Sequence, residues 1–158
     1  MLFAIDVRST YTPLTRAEGE AVAPVAGLPT VALAADGTPT VTIPGTPPSA
    51  TLVAQPLIKG AGAVVTAGQT ITVHYRGIVY GTGATFDSSW KRGSPSDFPI
   101  GAGQVVAGWD EGLVGQTVGS QVLLVIPPDK GYGANGNAGA KITGTDTLVF
   151  VVDILGAI

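Results

Sequence analysis

VVAGWDEGL, residues 105–113, predicts a short helix with one apolar face. Val106, Trp109 and Leu113 are spaced i, i+3 and i+7, which places their side chains on the same side of a helix. Gly115 follows directly, and a glycine just past the last helical residue is a common way to end a helix. We therefore expect this helix to cover another element with its apolar face.

Three segments on either side of this helix read as strands with one apolar face. The pattern runs through residues 70–75 before the helix, and through residues 122–126 and 148–154 after it. Pro127 and Pro128 end the second segment, because proline cannot donate to a strand ladder. Together they predict an α+β fold of antiparallel strands, with one short central helix covering one face of the sheet.

The composition excludes several classes of function. The chain has 158 residues, no cysteine and one histidine, so a disulfide framework, a thiolate zinc site and a histidine-rich metal site are excluded. Lys91-Arg92 is the only adjacent basic pair in a chain of net charge −3, which argues against a nucleic-acid surface. No apolar stretch reaches the ~18 residues of a membrane span, and the first residues lack a signal-peptide pattern. We expect a soluble protein without membrane insertion, and its compartment stays open.

Aromatic residues carry the functional pattern. Six of the ten in the chain fall at spacings that suit one small pocket: Tyr75, Phe86, Phe98, Trp109, Tyr132 and Phe150. The strings around them read VHYRG (73–77), FDSS (86–89), VVAGWDEGL (105–113), GYGANG (131–136) and TLVF (147–150). In this order, over residues 51–158, they resemble the FKBP-type peptidyl-prolyl cis–trans isomerases, in particular bacterial, actinobacterial-like members.

The resemblance implies an antiparallel half-barrel sheet wrapped around one short central helix, and an enzyme that needs no cofactor or metal. It assigns catalytic roles to Asp87, Tyr132, Tyr75 and Trp109. It assigns substrate binding to Phe86, Phe98, Val105, Val106, Phe150, Arg92 and Ile142, the last as a residue of the pocket rim. Proline-containing polypeptides are the implied substrates, immunosuppressant macrolides the implied inhibitors, and a monomer the expected state.

The implied chemistry is non-covalent. Rotation about an amide bond costs about 18–20 kcal/mol because the C–N bond is partly double. The twisted amide is less polar than the planar one, so a dry apolar pocket that binds it better lowers the barrier. Trp109 would be the floor for the proline ring, and Tyr75 and Arg92 would hold Asp87 beside the amide carbonyl. The Val106 N–H lies in the first helical turn without an intrahelical acceptor, and it would bind a substrate carbonyl, as would the Tyr132 hydroxyl.

Two residues near these motifs are interpreted differently. His74 points away from the apolar face of its strand and is predicted to be a structural histidine with satisfied hydrogen bonds. Trp90 either leans over the pocket edge or caps the bulge at Ser88-Ser89. Both alternatives remain open for Trp90.

The N-terminal third divides into a tail, residues 1–21, and a Pro/Thr/Gly-rich segment, residues 22–50, before the isomerase-like domain, residues 51–158. The second segment contains two β-prone runs, Thr30–Leu33 and Pro39–Ile43, separated by an Asp36-Gly37 turn signal. Either they form a small hairpin or the segment is an extended linker.

The tail begins with a near copy of the last predicted strand. Leu2–Val7 follows the order of residue types in Val149–Ile154, through coincidence or because the chain starts in the last strand of a preceding FKBP-like domain. In the second case, this chain is the C-terminal part of a tandem protein. We expect the tail to contribute little, so that its deletion leaves the melting temperature nearly unchanged.

Other functions compete with this interpretation. The sequence has no GxSxG motif, no P-loop and no complete GxGxxG, which argues against serine hydrolases and nucleotide enzymes. The stronger rival is a proline-peptide-binding or chaperone module with the same fold and little turnover. Chaperone-type relatives carry a large insertion before the last strand, and only about twenty residues separate Pro128 from Phe150 here. Active isomerase is therefore the favoured function.

Overall fold

The structure, a computed structural model, describes residues 2–4 and 12–158. Within these residues the chain forms two helices, α1 (Ser89–Arg92) and α2 (Ala107–Leu113), and three short 3-10 turns after residue 127. Its strands are β1 (Glu20–Ala21), β2 (Thr30–Leu33), β3 (Pro39–Thr42), β4 (Val53–Lys59), β5 (Thr70–Val79), β6 (Thr85–Ser88), β7 (Ser96–Pro99), β8 (Gln121–Ile126) and β9 (Leu148–Ala157).

Seven of these strands form one antiparallel sheet in the order β1-β4-β8-β9-β5-β6, with β7 paired to the first half of β5. The centre is the long pairing of β5 with β9, which runs from Ile71–Ala157 to Val79–Leu148. The α+β class, with an antiparallel sheet and one main short helix, is confirmed.

The inner face of the sheet packs against α2. Trp109 and Leu113 are 3% and 0% exposed, and both belong to the core cluster on this face. A Cβ at Gly108 would lie 2.7 Å from the Ile126 side chain, so glycine allows the helix to approach β8 closely. The helix ends as predicted before Gly115, whose φ of +92° favours glycine.

The outer face of the sheet is covered by the segment before β4. β2 and β3 pair as a hairpin from Thr30–Thr42 to Leu33–Pro39, so the hairpin alternative is the one observed. Apolar residues from this segment pack on a second cluster formed by the sheet: Ile78, Tyr80, Leu123, Val125, Val149 and Val151. Residues 22–50 are thus largely a cover for the domain.

This cover corrects one expectation. The second and third predicted strands were interpreted as half-buried, with one apolar face. In the structure all six residues of β8 and the first nine of β9 are buried. The physical reason is that α2 covers one face of these strands and the hairpin covers the other.

The last part of the predicted tail also packs on the domain. The Leu14 N–H donates to the Leu155 carbonyl at 2.8 Å, and the Ala17 N–H donates to Asp153 Oδ2 at 3.2 Å. β1 then pairs with the end of β4. Residues 14–21 are therefore attached to the sheet. Of the repeat Leu2–Val7, residues 5–7 lie outside the described residues.

No helix among the described residues is both long and apolar enough to cross a membrane.

Candidate active site

A cavity of about 280 Å³ lies beside α2, with walls from β5, β6, β7 and β9. Small-molecule pockets commonly measure about 300–1,000 Å³, so this cavity suits a small group such as one ring with its flanking amides. Its lining contains nine of the predicted site residues and one more, Gln104: Tyr75, Phe86, Asp87, Phe98, Val105, Val106, Trp109, Tyr132 and Phe150.

Trp109 is the centre of the aromatic wall. Its ring meets the rings of Tyr75, Phe98 and Phe150 at centroid distances of 5.3, 5.2 and 5.4 Å. All three contacts are edge-to-face, with interplanar angles of 84°, 79° and 84°, an arrangement favoured by the ring quadrupoles. Phe86 extends the wall through an edge contact with Phe150 at 5.5 Å. These contacts fix the shape of an apolar cavity before anything binds.

A glycine in β5 makes room for two of these rings. A Cβ at Gly77 would lie 2.6 Å from the Phe86 ring and 2.8 Å from the Phe150 ring. Both distances are far below van der Waals contact, so a larger residue would displace the rings. The glycine of the VHYRG string therefore has a packing role in the site.

Asp87 is held at the rim of the cavity by two side chains. The Tyr75 hydroxyl donates to Asp87 Oδ2 at 2.5 Å, and Arg92 forms an ion pair with Oδ1. Arg92 also donates to the Tyr75 hydroxyl at 2.9 Å, which closes the three-residue network. Burial raises the pKa of Tyr75, and its hydrogen bond to Asp87 adds to this effect. Tyr75 therefore remains a donor to the carboxylate throughout the neutral range.

Two hydrogen-bond donors face the same region. The Val106 N–H, just before α2, has no acceptor among the described residues, and the same holds for the Tyr132 hydroxyl. Tyr132 is 37% exposed, so its hydroxyl lies at the mouth of the cavity. Trp109 Nε1, in contrast, is buried. Among the described residues it is the one buried side-chain nitrogen or oxygen without a hydrogen-bond partner. Three donors without acceptors, two at the edge and one in the wall, thus lie at this cavity.

Two predicted site residues lie outside the lining. Arg92 acts on the cavity through Asp87 and Tyr75, as the preceding contacts show. Ile142 is 4% exposed and belongs to the core cluster, not to the cavity rim. The backbone of Asn137 pairs with Ile142 in both directions, at 2.8 and 2.9 Å, which folds this loop onto the core.

The remaining residues of interest take structural roles or were missed. His74 Nδ1 lies 2.7 Å from the Ser89 hydroxyl, and its ring stacks on Trp90 at 4.9 Å. Trp90 therefore packs on His74 and does not line the aromatic cavity. Burial, aided by the charge of Arg92, lowers the pKa of His74, which keeps it neutral at physiological pH. Gln104 also lines the cavity, although it was not among the predicted site residues.

Comparisons with known proteins agree with this geometry. A sequence model of the family described as FKBP-type peptidyl-prolyl cis-trans isomerase matches residues 62–155. An FK506-binding protein of Streptomyces anulatus is 46% identical over 117 residues, which are 74% of this chain and 94% of that protein. A probable FK506-binding protein of Corynebacterium glutamicum is 41% identical over 119 residues, 75% of this chain and 98% of that protein.

Solved structures show the same similarity. The crystal structure of AtFKBP13 matches with a TM-score of 0.62 and 29% sequence identity, covering 82% of this chain and 99% of that one. The residues that build the cavity all lie within the matched range 62–155, whereas the hairpin of β2 and β3 precedes it.

Proposed function

The chain belongs to the FKBP-type peptidyl-prolyl cis–trans isomerases, and we propose that it accelerates X–Pro rotation by binding the twisted amide in the cavity beside Trp109. Isomerase activity is the property of the family. The proposal concerns which residues perform it and how. The observation that carries it is one apolar aromatic cavity with a held carboxylate and two free donors at its edge.

The apolar wall favours the transition state over the ground state. A planar amide is strongly dipolar, and twisting it reduces conjugation between nitrogen and carbonyl. Moving the planar form from water into a cavity walled by Trp109, Phe98 and Phe150 is therefore less favourable than moving the twisted form. Only this difference in binding accelerates the reaction. No covalent step is required.

The polar groups at the rim orient the substrate chain. We assign the Val106 N–H and the Tyr132 hydroxyl to substrate carbonyls, because both donors lack an acceptor within the described residues. Asp87 is assigned to the region of the rotating amide carbonyl, and its network with Tyr75 and Arg92 fixes its position before substrate arrives. A preorganised site loses less entropy on binding.

A turnover assay on a short X–Pro peptide tests this function. We expect saturable acceleration of cis–trans exchange by the wild type, followed by NMR exchange spectroscopy. Tyr132→Phe removes one hydroxyl and keeps the ring, so it should raise KM more than it lowers kcat. Peptide binding without acceleration would instead support the rival function, a binding or chaperone module.

Macrolide binding is a further part of the proposal. The relatives are named for binding FK506, and a macrolide whose pipecolyl ring mimics proline should occupy the same cavity and compete with peptide. We expect a binding free energy of roughly −8 kcal/mol or better, which is a micromolar dissociation constant or tighter. Titration followed by Trp109 fluorescence measures it, with Trp90→Phe used to remove the background of the second tryptophan. Absence of a saturable response from folded protein at tens of micromolar would contradict this assignment.

We also propose that the enzyme acts as a monomer on proline-containing polypeptides. The residues of one chain suffice to form the walls and floor of the cavity. Size-exclusion chromatography with light scattering at the assay concentration measures this. A dimer that loses turnover on dilution would contradict it.

A further inference from the structure

A second cavity lies directly beside the aromatic one, on the other side of β6. It has a volume of about 600 Å³. Its lining comes from β6, from α1, from one residue of β5 and from the turn of the hairpin: Thr38, Arg76, Thr85, Phe86, Asp87, Ser88, Trp90, Lys91 and Arg92. We refer to it as the β6 groove.

The β6 groove is continuous with the proposed substrate site. Phe86 and Asp87 belong to the lining of both cavities. β6 is also the last strand of the sheet on this side, so no further strand separates the two cavities. A polypeptide bound with its proline against Trp109 can therefore cross the edge of β6 and enter the groove with residues close to that proline.

The groove is positively charged in an acidic protein. Its lining contains Arg76, Lys91 and Arg92 against one carboxylate, Asp87, whereas the whole chain has a net charge of −3. Asp87 is the ion-pair partner of Arg92. Within the described residues neither Arg76 nor Lys91 forms an ion pair, so two positive charges in the groove have no counter-charge.

Arg76 is held in place by the hairpin and by β6. Its Nη1 donates to the Pro39 carbonyl at 2.6 Å, and its Nε and Nη2 donate to Thr85 Oγ1 at 3.0 and 2.9 Å. These three bonds use three of the five N–H groups of a guanidinium. One N–H on each terminal nitrogen stays available, on a side chain whose position is already fixed. A guanidinium in this state suits a carboxylate.

Two other ionisable side chains, next to residues of the groove, do not line it. Asp36, in the hairpin turn, accepts the Thr38 N–H at 2.9 Å, and this bond is the first cause of its lowered pKa, with Arg16 contributing. His74, beneath Trp90, has a pKa lowered by burial and is neutral at physiological pH. The groove thus combines a fixed guanidinium, a free ammonium group and the Trp90 ring.

We propose that the β6 groove binds an acidic side chain of the polypeptide substrate and gives the enzyme a preference for prolines with Asp or Glu nearby. This inference rests on the proposed function, because a substrate side chain reaches the groove only when the proline is bound in the adjacent aromatic cavity. Arg76 and Lys91 are the specificity-determining residues. Pro39, through its carbonyl, is a positioning residue for Arg76.

The test compares pairs of proline peptides that differ in one residue, Glu or Gln, placed two to four residues before or after the proline. Binding is measured by fluorescence anisotropy and turnover by NMR exchange. For one side of the proline, the wild type should prefer the Glu peptide by about twofold to fivefold, the size expected for exposed charge pairs. The preference should decline as salt is raised.

Substitutions in the groove test which residues cause the preference for Glu. Lys91→Gln and Arg76→Gln should each bring the Glu-to-Gln ratio toward one, while Lys59→Gln, which removes the same charge from the far end of β4, should leave the ratio unchanged. Because each ratio is measured within one variant, loss of folded protein does not alter it. A wild-type ratio of one on both sides of the proline, or a preference that survives both groove substitutions, would overturn the proposal.

The two readouts separate this inference from the function on which it rests. Peptides that are isomerised without a Glu preference would refute the groove and leave the isomerase site intact. Peptides that bind with the preference but are not isomerised would support the groove and refute the proposed mechanism.

Discussion

The two faces of the central sheet are built from the same strands but have different roles, one in binding and the other in support. On the inner face, Leu124 and Phe150 join a cluster that α2 covers only in part, and an aromatic cavity of about 280 Å³ remains. On the outer face, their neighbours Leu123 and Val149 join a cluster that the hairpin covers. Adjacent residues of one strand thus contribute to a binding site and to its support.

The difference shows how a small domain can maintain an open cavity in its core. A cavity lined by apolar groups forfeits contacts that a filled core would have. The outer cluster offsets that loss with additional burial, and the hairpin of β2 and β3 that covers it precedes the range that matches the family, residues 62–155. We infer that the inner face is organised for binding and that the N-terminal segment contributes chiefly to stability.

Removal of the outer cover should have the largest effect on stability. Deletion of residues 1–43 exposes the apolar side chains of the outer cluster, including Leu123, Val125 and Val151. Burial of each such side chain contributes about 1.5–3 kcal/mol, so the loss should approach the whole stability of a domain, about 5–15 kcal/mol. Circular dichroism and light scattering should show an unfolded or aggregated protein. A soluble product with the wild-type melting temperature would show that the outer cover does not stabilise the domain.

Truncation of the cavity floor should come next. Trp109→Ala removes a side chain that is 3% exposed, and we expect a loss of about 3–5 kcal/mol in the free energy of unfolding. Proline-peptide binding should weaken as well, because the floor is lost. Urea denaturation measures the first effect and titration the second. Val41→Ala is the control for the titration, since Val41 packs on the outer cluster away from this cavity.

Loss of the N-terminal attachment should have a smaller effect on stability, but not a negligible one. Deletion of residues 1–21 removes hydrogen bonds to Leu155, Asp153 and Gly119, as well as the pairing of β1 with β4. With about 0.5–1.5 kcal/mol for each bond, we expect a loss of about 2–4 kcal/mol. The expectation from the sequence was a nearly unchanged melting temperature, and the observed contacts predict a larger effect.

A shorter deletion is the control for this experiment. Residues 2–4 are exposed, with Leu2 at 100% and Phe3 at 80%. Deletion of residues 1–4 should therefore leave the melting temperature unchanged. Equal melting temperatures for the 1–21 deletion and the wild type would show that the attached segment contributes nothing.

Asp153 should make the smallest contribution, one that depends on pH. Burial raises its pKa above 3.8, so the folded protein binds its proton more tightly than the unfolded chain does. Its charge therefore destabilises the fold above the raised pKa, and this penalty disappears as the pH falls to 3.8. As the pH falls from the raised pKa to 3.8, the wild type should gain stability relative to Asp153→Asn. Urea titrations of both proteins at several pH values measure the difference, and parallel pH profiles would contradict it.

The sequence predicted the inner face well, because helix spacing and aromatic strings both mark it. Trp109 and Phe150 are where the patterns of helix and strand placed them, on the side that holds the cavity. The outer face was missed because alternate residues were assigned to a solvated side. The continuous apolar run of Val122–Ile126 is typical of a strand buried on both faces, and it was the available signal.

Other features depend on contacts that no local pattern specifies. Attachment of residues 14–18 rests on bonds to residues more than one hundred positions away, such as Ala17 to Asp153, and β1 pairs with β4. The inward position of Ile142 follows from its pairing with Asn137 in an irregular loop. Neither has a periodic or compositional signature.

The most direct test of the division between the two faces is the kcat/KM of two variants on a short neutral X–Pro peptide. Asp87→Val alters the rim of the inner cavity, and Val41→Ala alters the outer cover, with both proteins assayed below their melting transitions. We predict that Asp87→Val lowers kcat/KM by about tenfold, about 1.4 kcal/mol in the activation free energy. Val41→Ala should retain the wild-type value despite its lower stability. Full activity of folded Asp87→Val, or an equal loss in Val41→Ala, would contradict the account.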